Sequence, residues 1–284
     1  MKIAFTKMSG AGNDFIFLAP EYTALKPLLS GLAKVLCRRR ASIGADGLVL
    51  VERMRDQIGG GIGGEILMHY FNSDGSRASF CGNGARCLVR YCVEKGIAES
   101  PVMFRSDSGR HSGEITERGV RIGMEAPVLR RRLEIRVSDR SRQVYLVDAG
   151  VPHAVILSEG IDSMDVEATG RMIRNDPAFR PEGANVDFVD SAGPPFRVRT
   201  YERGVEGETL ACGSGCVAAA LALNLAGLAG ASVNLMVASG DVLTVDLGGT
   251  PPASPTSRGP EAHLTGPAVI AFEGQVEIKE NTDV

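Results

Sequence analysis

The sequence predicts an α+β protein built as two similar halves, with sheets wrapped on isolated helices. Three observations carry this. Short alternating or apolar β-rich segments outnumber helical ones roughly three to one. A Cys-Gly-x-Gly turn opening an apolar helix occurs twice, as "CGNGARC" at 81–87 and "CGSGC" at 212–216. The two cysteines stand 131 residues apart, close to half of the 284-residue chain.

Along the chain the strand candidates are KIAFTKM, FIFLA, GLVLVE, EILMHYFN, EITERGVRIGM, LEIRV, QVYLVDAG, HAVIL, NVDFVD, FRVRTYE, VNLMVA, DVLTVDL and AVIAF. Each is rich in β-branched and aromatic residues and is bounded by Gly, Pro, Asn or Asp. Helical periodicity falls at about 23–38, 83–95, 165–174 and 214–229. Asn175-Asp176-Pro177 stops the third of these. The run GGGIGG at 59–64 spells a dinucleotide-binding pattern, but a strand follows it where a helix is needed, so it reads as a hairpin tip. No P-loop is present. Upstream of each Cys-Gly-x-Gly turn lies a strand with an aromatic, a polar residue and a Gly-containing turn. The order therefore repeats, with a boundary near Ala126-Pro127.

Composition excludes several classes. The net charge of −3 and pI near 5.9 give no reason for a polyanion partner, and the arginines at 38–40 and 130–132 have no interleaved aromatics. No nucleic acid is expected. The N-terminus lacks a long apolar signal region. The apolar run from Cys216 to about Ala231 is interrupted by Asn224, Gly227 and Gly230. It is shorter than a membrane span and reads as a buried core helix. A cytoplasmic protein with no membrane association is expected. The six cysteines form neither a disulfide framework nor zinc-knuckle spacing. Cys87 and Cys92 read as core residues, whereas Cys81 and Cys212 lie at the N-terminal ends of their helices.

A thiol at a helix mouth sits beside unpaired N–H groups and the positive end of the helix dipole. Its pKa should fall from about 8.5 toward neutrality, and the same N–H groups can hold a carboxylate. Two such mouths on opposite sides of one ligand would supply the base and the acid that inversion of a stereocentre needs without a cofactor. Tight helix starts with no chemical role are the bland alternative.

The segments FNSDGSRASFCGNGARC (71–87) and YERGVEGETLACGSG (201–215) resemble the two signatures of the diaminopimelate epimerase family. KMSGAGNDF (7–15), IGADGL (43–48), GVPHAV (150–155) and GANVDFV (183–189) resemble further family segments in the family's order. The resemblance implies a cofactor-independent, metal-free isomerase that interconverts LL- and meso-2,6-diaminopimelate for lysine and peptidoglycan. It implies two domains, each a mostly antiparallel sheet around a central helix, with the active site in the cleft between them. The expected halves are 1–126, joined by a returning strand at about 274–284, and 127–273. It also implies a homodimer.

Carried over, Cys81 and Cys212 are the catalytic pair, Cys212 being the base in the LL-to-meso direction, with His153 and Glu202 in support. Gly82 with Asn83, and Gly213 with Ser214, would line the carboxylate hole. Asn13, Asn72 and Asn185 would contact the distal end of the substrate, with Glu202 and Arg203 recognising its zwitterionic head group. Read alone, Asn13 and Asp74 suit Gly-rich turns, His153 suits an internal hydrogen-bonding histidine, and Arg203 suits a surface charge. Two departures fall at Ser9 and Val151, where many members carry His and Asn, and the second signature has one more residue before Cys212 than the shorter form. A two-cysteine racemase of histidine or a proline derivative is the nearest alternative. A non-catalytic amino-acid binding protein or a thiol redox protein is the alternative from another class. Pyridoxal chemistry would need a Schiff-base lysine, and none of the six lysines sits in a matching motif.

Overall fold

The structure is a computed structural model that describes residues 1–54, 64–137, 140–249 and 261–278. The chain divides into two units, Met1–Ile122 with Pro267–Val284, and Gly123–Gly266. The first unit therefore ends four residues before the expected boundary. Its returning segment starts at Pro267 rather than near 274, because the last strand, Val269–Glu277, pairs antiparallel with the first over eight positions. Most of the glycine run at 59–64 lies outside the described residues, as do residues 279–284 of the expected last strand.

The first unit contains β1 (Lys2–Gly10), β2 (Asn13–Leu18), α1 (Leu29–Leu36), β3 (Gly47–Arg53), β4 (Ile66–Asn72), α2 (Gly82–Glu94), β5 (Val102–Ser106), β6 (Gly109–Thr116) and all but the last two residues of β7 (Gly119–Met124). The second contains β8 (Val128–Val137), β9 (Arg140–Asp148), β10 (Pro152–Ser158), α3 (Val166–Arg174), β11 (Asn185–Asp190), β12 (Phe196–Glu202), β13 (Gly207–Thr209), α4 (Gly213–Leu225), β14 (Ser232–Met236), β15 (Val242–Asp246) and β16 (Ala262–Gly266). β17 (Val269–Glu277) returns to the first.

Within the first unit the strands run in the order β17-β1-β2-β3-β4-β5-β6-β7, antiparallel except β2/β3 and β4/β5. Within the second they run β8-β9-β10-β11-β12-β14-β15-β16, antiparallel except β10/β11 and β12/β14. The two orders correspond strand for strand. Each parallel pair requires a crossover. α1 and α3 supply the first in each unit, and α2 and α4 the second.

α2 packs on β1, β2, β5, β6 and β17, and α4 on all the strands of its own sheet from β9 to β16 except the short β13. α4 is buried from Gly215 to Leu223, which explains why its sequence is apolar on every side. Gly10 lets β1 close on α2: a Cβ there would lie 3.0 Å from both the Asn83 carbonyl and Cys87 Sγ. On the opposite faces, α1 covers Ile16, Leu18, Leu48 and Leu50, while Ile173 of α3 joins Ile156, Phe188 and Tyr201. Each such fully buried side chain contributes about 1.5–3 kcal/mol.

Local chemistry sets where elements end. The helix expected over 23–38 opens as 3₁₀ turns over Pro20–Leu28, and regular α-helix begins only at Leu29. Pro27 lacks the N–H an α-helical turn would use. The last predicted helix stops at Leu225, where Gly227 takes φ +74°. EITERGVRIGM is not one strand but parts of β6 and β7 folded as a hairpin. Among the described residues, no helix is long and apolar enough to cross a membrane.

Candidate active site

Cys81 and Cys212 occupy the same local position. Each is the N-cap of its central helix in extended backbone, φ −143° and ψ 115° for Cys81, φ −123° and ψ 113° for Cys212. Each carbonyl accepts the first intrahelical bond, from Ala85 N–H at 2.8 Å and from Cys216 N–H at 3.0 Å. Gly82 and Asn83, like Gly213 and Ser214, thereby fall in the first helical turn, where N–H groups lack intrahelical acceptors.

In the first unit Asn83 is buried and donates to Asn13 Oδ1 at 2.5 Å, while Arg86, fully buried, donates to Asn83 Oδ1 at 2.7 Å. Asn13 in turn donates to Asp46 Oδ2 at 3.0 Å. Asp46 and Asp14 share Arg39, and Lys7 pairs with Asp14 at 2.8 Å. The segment entering Cys81 is tied to the β5–β6 turn. Arg77 forks onto Asp107, Ser108 N–H donates to the Ser79 carbonyl, and Phe80 stacks on His111 with ring centroids 4.3 Å apart. Asn72 turns its side chain to Ser76 Oγ at 3.0 Å, within a turn that Asp74 also caps. Ser9 pairs in register with Asp14 on β2 and with Val269 on β17.

In the second unit His153 is fully buried. Its Nδ1 lies 2.7 Å from Asp187 Oδ2, and its Nε2 lies 2.9 Å from Ser214 Oγ and 3.4 Å from Asn185 Nδ2. Asn185 Oδ1 accepts from Arg203 N–H at 2.8 Å, so its amide nitrogen faces the imidazole. Nε2 is then an acceptor, and Nδ1–H donates to Asp187. Thr200 Oγ1 donates to Asp187 Oδ1 at 2.8 Å. Ser214 Oγ stands 3.5 Å from Cys212 Sγ. The Arg203 guanidinium donates to the Glu182 carbonyl at 2.9 Å. Val151 offers its carbonyl to Ala149 N–H at 3.1 Å.

Electrostatics correct one expectation. The net effect on the Cys212 thiol is upward rather than toward neutrality: burial does most of this, the Glu202 and Asp187 carboxylates add to it, and the Ser214 hydroxyl and the helix-mouth N–H of Gly215 only partly oppose. Burial likewise raises the Glu202 carboxyl. Burial also takes the Cys37, Cys87 and Cys92 thiols to about 12, as suits core residues.

The structure thus brings Asn13 to Asn83, His153 and Cys212 to Ser214, and Asn185 to His153. Asp187, Thr200, Asp46 and Arg86 belong to these clusters and were not singled out by sequence reasoning. Asp187 carried a usable signal, a charge inside the otherwise apolar VDFV. Among the described residues, no group of three or more His, Cys, Asp and Glu side chains converges to hold a metal ion.

The family model for diaminopimelate epimerase matches residues 5–129 and 145–248. A diaminopimelate epimerase of Hydrogenobaculum sp. (strain Y04AAS1) is 35% identical over 285 residues, covering 95% of this chain and 97% of the relative. One from Gemmatimonas aurantiaca is 37% identical, covering 96% and 99%. A probable proline racemase from Agrobacterium radiobacter K84 shares the fold, with a TM-score of 0.70 at 16% identity over 99% of this chain and 94% of that one. Matched over most of its length by the family model, and at more than 30% identity by near full-length relatives, this chain belongs to the diaminopimelate epimerase family of isomerases.

Proposed function

We propose that the chain interconverts LL- and meso-2,6-diaminopimelate, with Cys81 and Cys212 as a cofactor-independent acid/base pair acting on one Cα. The observation that carries this reading is the equivalence of the two cysteines: each caps the central helix of a sheet with the same strand order. One thiolate removes the α-proton while the other thiol delivers a proton from the opposite face. The carbanionic intermediate places charge on the α-carboxylate. First-turn N–H groups of Gly82, Asn83, Gly213 and Ser214 suit that charge, because they are aligned before it develops.

Glu202 and Arg203, at the end of β12, offer an acceptor and a donor for the ammonium and carboxylate at the far end of the substrate. Asn13, Asn72 and Asn185 supply neutral donors and acceptors. Asn13 and Asn185 are already held by neighbours, so little ordering remains to be done on binding. A cytoplasmic homodimer serving lysine and peptidoglycan precursor synthesis completes the reading.

The test is to supply purified, reduced protein with LL-diaminopimelate, L-proline, trans-4-hydroxy-L-proline and L-histidine in turn, without added cofactor, and to resolve the stereoisomers by chiral chromatography. Inversion of diaminopimelate alone supports the proposal. Inversion of one of the others at a higher kcat/KM replaces it with an amino-acid racemase of the same fold.

A further inference from the structure

The loop after β12 holds a strained residue that no step of the reaction uses. Glu206 stands at φ +57°, a backbone conformation that favours glycine, yet carries a full side chain there. It falls in the stretch 204–207, where the second signature runs one residue longer than the shorter form. A conformation of this kind persists where its surroundings over-determine it.

Four bonds do so. Glu206 N–H donates to the Glu202 carbonyl at 2.9 Å. Its carboxylate accepts from Gly204 N–H at 3.0 Å, from Arg174 Nε at 2.9 Å and from the Tyr201 hydroxyl at 3.1 Å. These donors, Gly204 N–H foremost, outweigh the opposing effect of burial and hold the carboxyl below its ordinary value. Two of the four bonds close the loop on itself around Arg203, and the other two tie it to α3 and β12. The helix is itself pressed on that strand, since a Cβ on Gly170 would lie 2.5 Å from Tyr201 Cβ.

Arg174, the last residue of α3, also reaches a second loop. Its guanidinium covers Gly183, where an added Cβ would run into Nη1. One residue before Gly183, the Glu182 carbonyl accepts from the Arg203 guanidinium at 2.9 Å. Two residues after it, Asn185 Oδ1 accepts from Arg203 N–H at 2.8 Å. Arg203 is thus gripped at backbone and side chain between the two loops that Arg174 joins.

We propose that Glu206 and Arg174 form a clamp that sets Arg203 for the carboxylate at the far end of the substrate, an inference that rests on the assignment of that group to Arg203. Both are positioning residues. With one N–H on the Glu182 carbonyl, the guanidinium keeps others to fork onto a carboxylate. The side chain is ordered before substrate arrives, so less freedom is lost on binding. Proton transfer belongs to the two cysteines, so the clamp acts on affinity and leaves the chemical step alone.

Two variants of the full chain test this. Glu206→Gln keeps the shape and removes the charge that draws Arg174. Glu206→Gly removes the side chain altogether and is at ease at a positive φ. For each, KM and kcat on LL-diaminopimelate are measured with the urea midpoint. The initial rate at which phenylglyoxal modifies Arg203 without substrate is followed by peptide mass. Glu206→Gly is expected to raise KM about fivefold, the factor for one long side chain that must be ordered on binding, with kcat unchanged. Glu206→Gln should move KM the same way by less, and both should modify Arg203 faster. The urea midpoint of Glu206→Gly should stay near the native one, because relief of the backbone offsets a half-exposed ion pair.

An unchanged KM in both variants overturns the clamp, as does a loss confined to kcat. A raised KM with a lower urea midpoint and unaltered modification of Arg203 also overturns it, since that reports general loosening. Should the native chain fail to invert diaminopimelate, the substrate assignment falls and the hold on Arg203 is judged by phenylglyoxal alone. Faster modification in the variants then upholds that hold, and an unchanged rate overturns it.

Discussion

Asn83, two residues past Cys81, donates its side-chain N–H to Asn13 Oδ1 across 2.5 Å, so the first turn of α2 is latched to the start of β2. Arg86 closes the other side of Asn83, and Asp46 the other side of Asn13. Asn13→Ala removes the latch and leaves a buried amide short of its partner. The expected cost is about 1–3 kcal/mol, read as a lower urea midpoint with an unchanged slope, together with a lower kcat/KM on diaminopimelate.

Replacing either thiol by hydroxyl separates chemistry from fold. Cys81→Ser and Cys212→Ser are each expected to lower epimerisation at least about 100-fold with the far-ultraviolet circular dichroism unaltered. Near-native turnover by either variant would remove the two-thiol mechanism.

Gly215 has no room for a methyl group, since its Cβ would enter the Asp187 carboxylate. Gly215→Ala is expected to cost about 1–3 kcal/mol and to depress activity. Gly230, where an added Cβ meets nothing within 4 Å, is the matched control. Gly230→Ala should stay within about 0.5 kcal/mol of the native chain. Thermal unfolding of the pair measures both.

Acid should loosen the first unit through Asp14. Burial alone would raise this carboxyl, but hydrogen bonds from Arg39 and Lys7 outweigh it and hold the folded value below the ordinary one. A carboxyl depressed on folding contributes its stability in full above the unfolded pKa of about 3.9. The contribution is lost as pH falls through the folded value. Asp14→Asn should therefore flatten the acid limb of a stability-against-pH curve below about pH 4, at the cost of lower stability at pH 7. An unchanged limb would mean Asp14 is not a source of the acid sensitivity.

Strands with alternating or wholly apolar patterns, such as GLVLVE and NVDFVD, were legible because burial on one face or both leaves that signature directly in the residues. Val102–Ser106, Gly207–Thr209 and Ala262–Gly266 were not, since each is short and carries too few β-branched or aromatic residues to stand out from the turns around it. The paired cysteines were legible from the Gly-x-Gly turns that follow them. The field at Cys212 was not, because it depends on Glu202 and Asp187, carboxylates brought in from two other strands.

The measurement that bears most directly on the two-thiol reaction is isotopic. LL-diaminopimelate is incubated with the reduced protein in D₂O, and deuterium at Cα is followed in substrate and product during the first few per cent of conversion. Two monoprotic thiols, one removing and one delivering, require the meso product to carry solvent deuterium while the remaining LL substrate stays protiated. Early deuterium in the LL substrate at the rate of inversion, or a meso product that keeps the original proton, would contradict the assignment of Cys81 and Cys212 to opposite faces of one carbon.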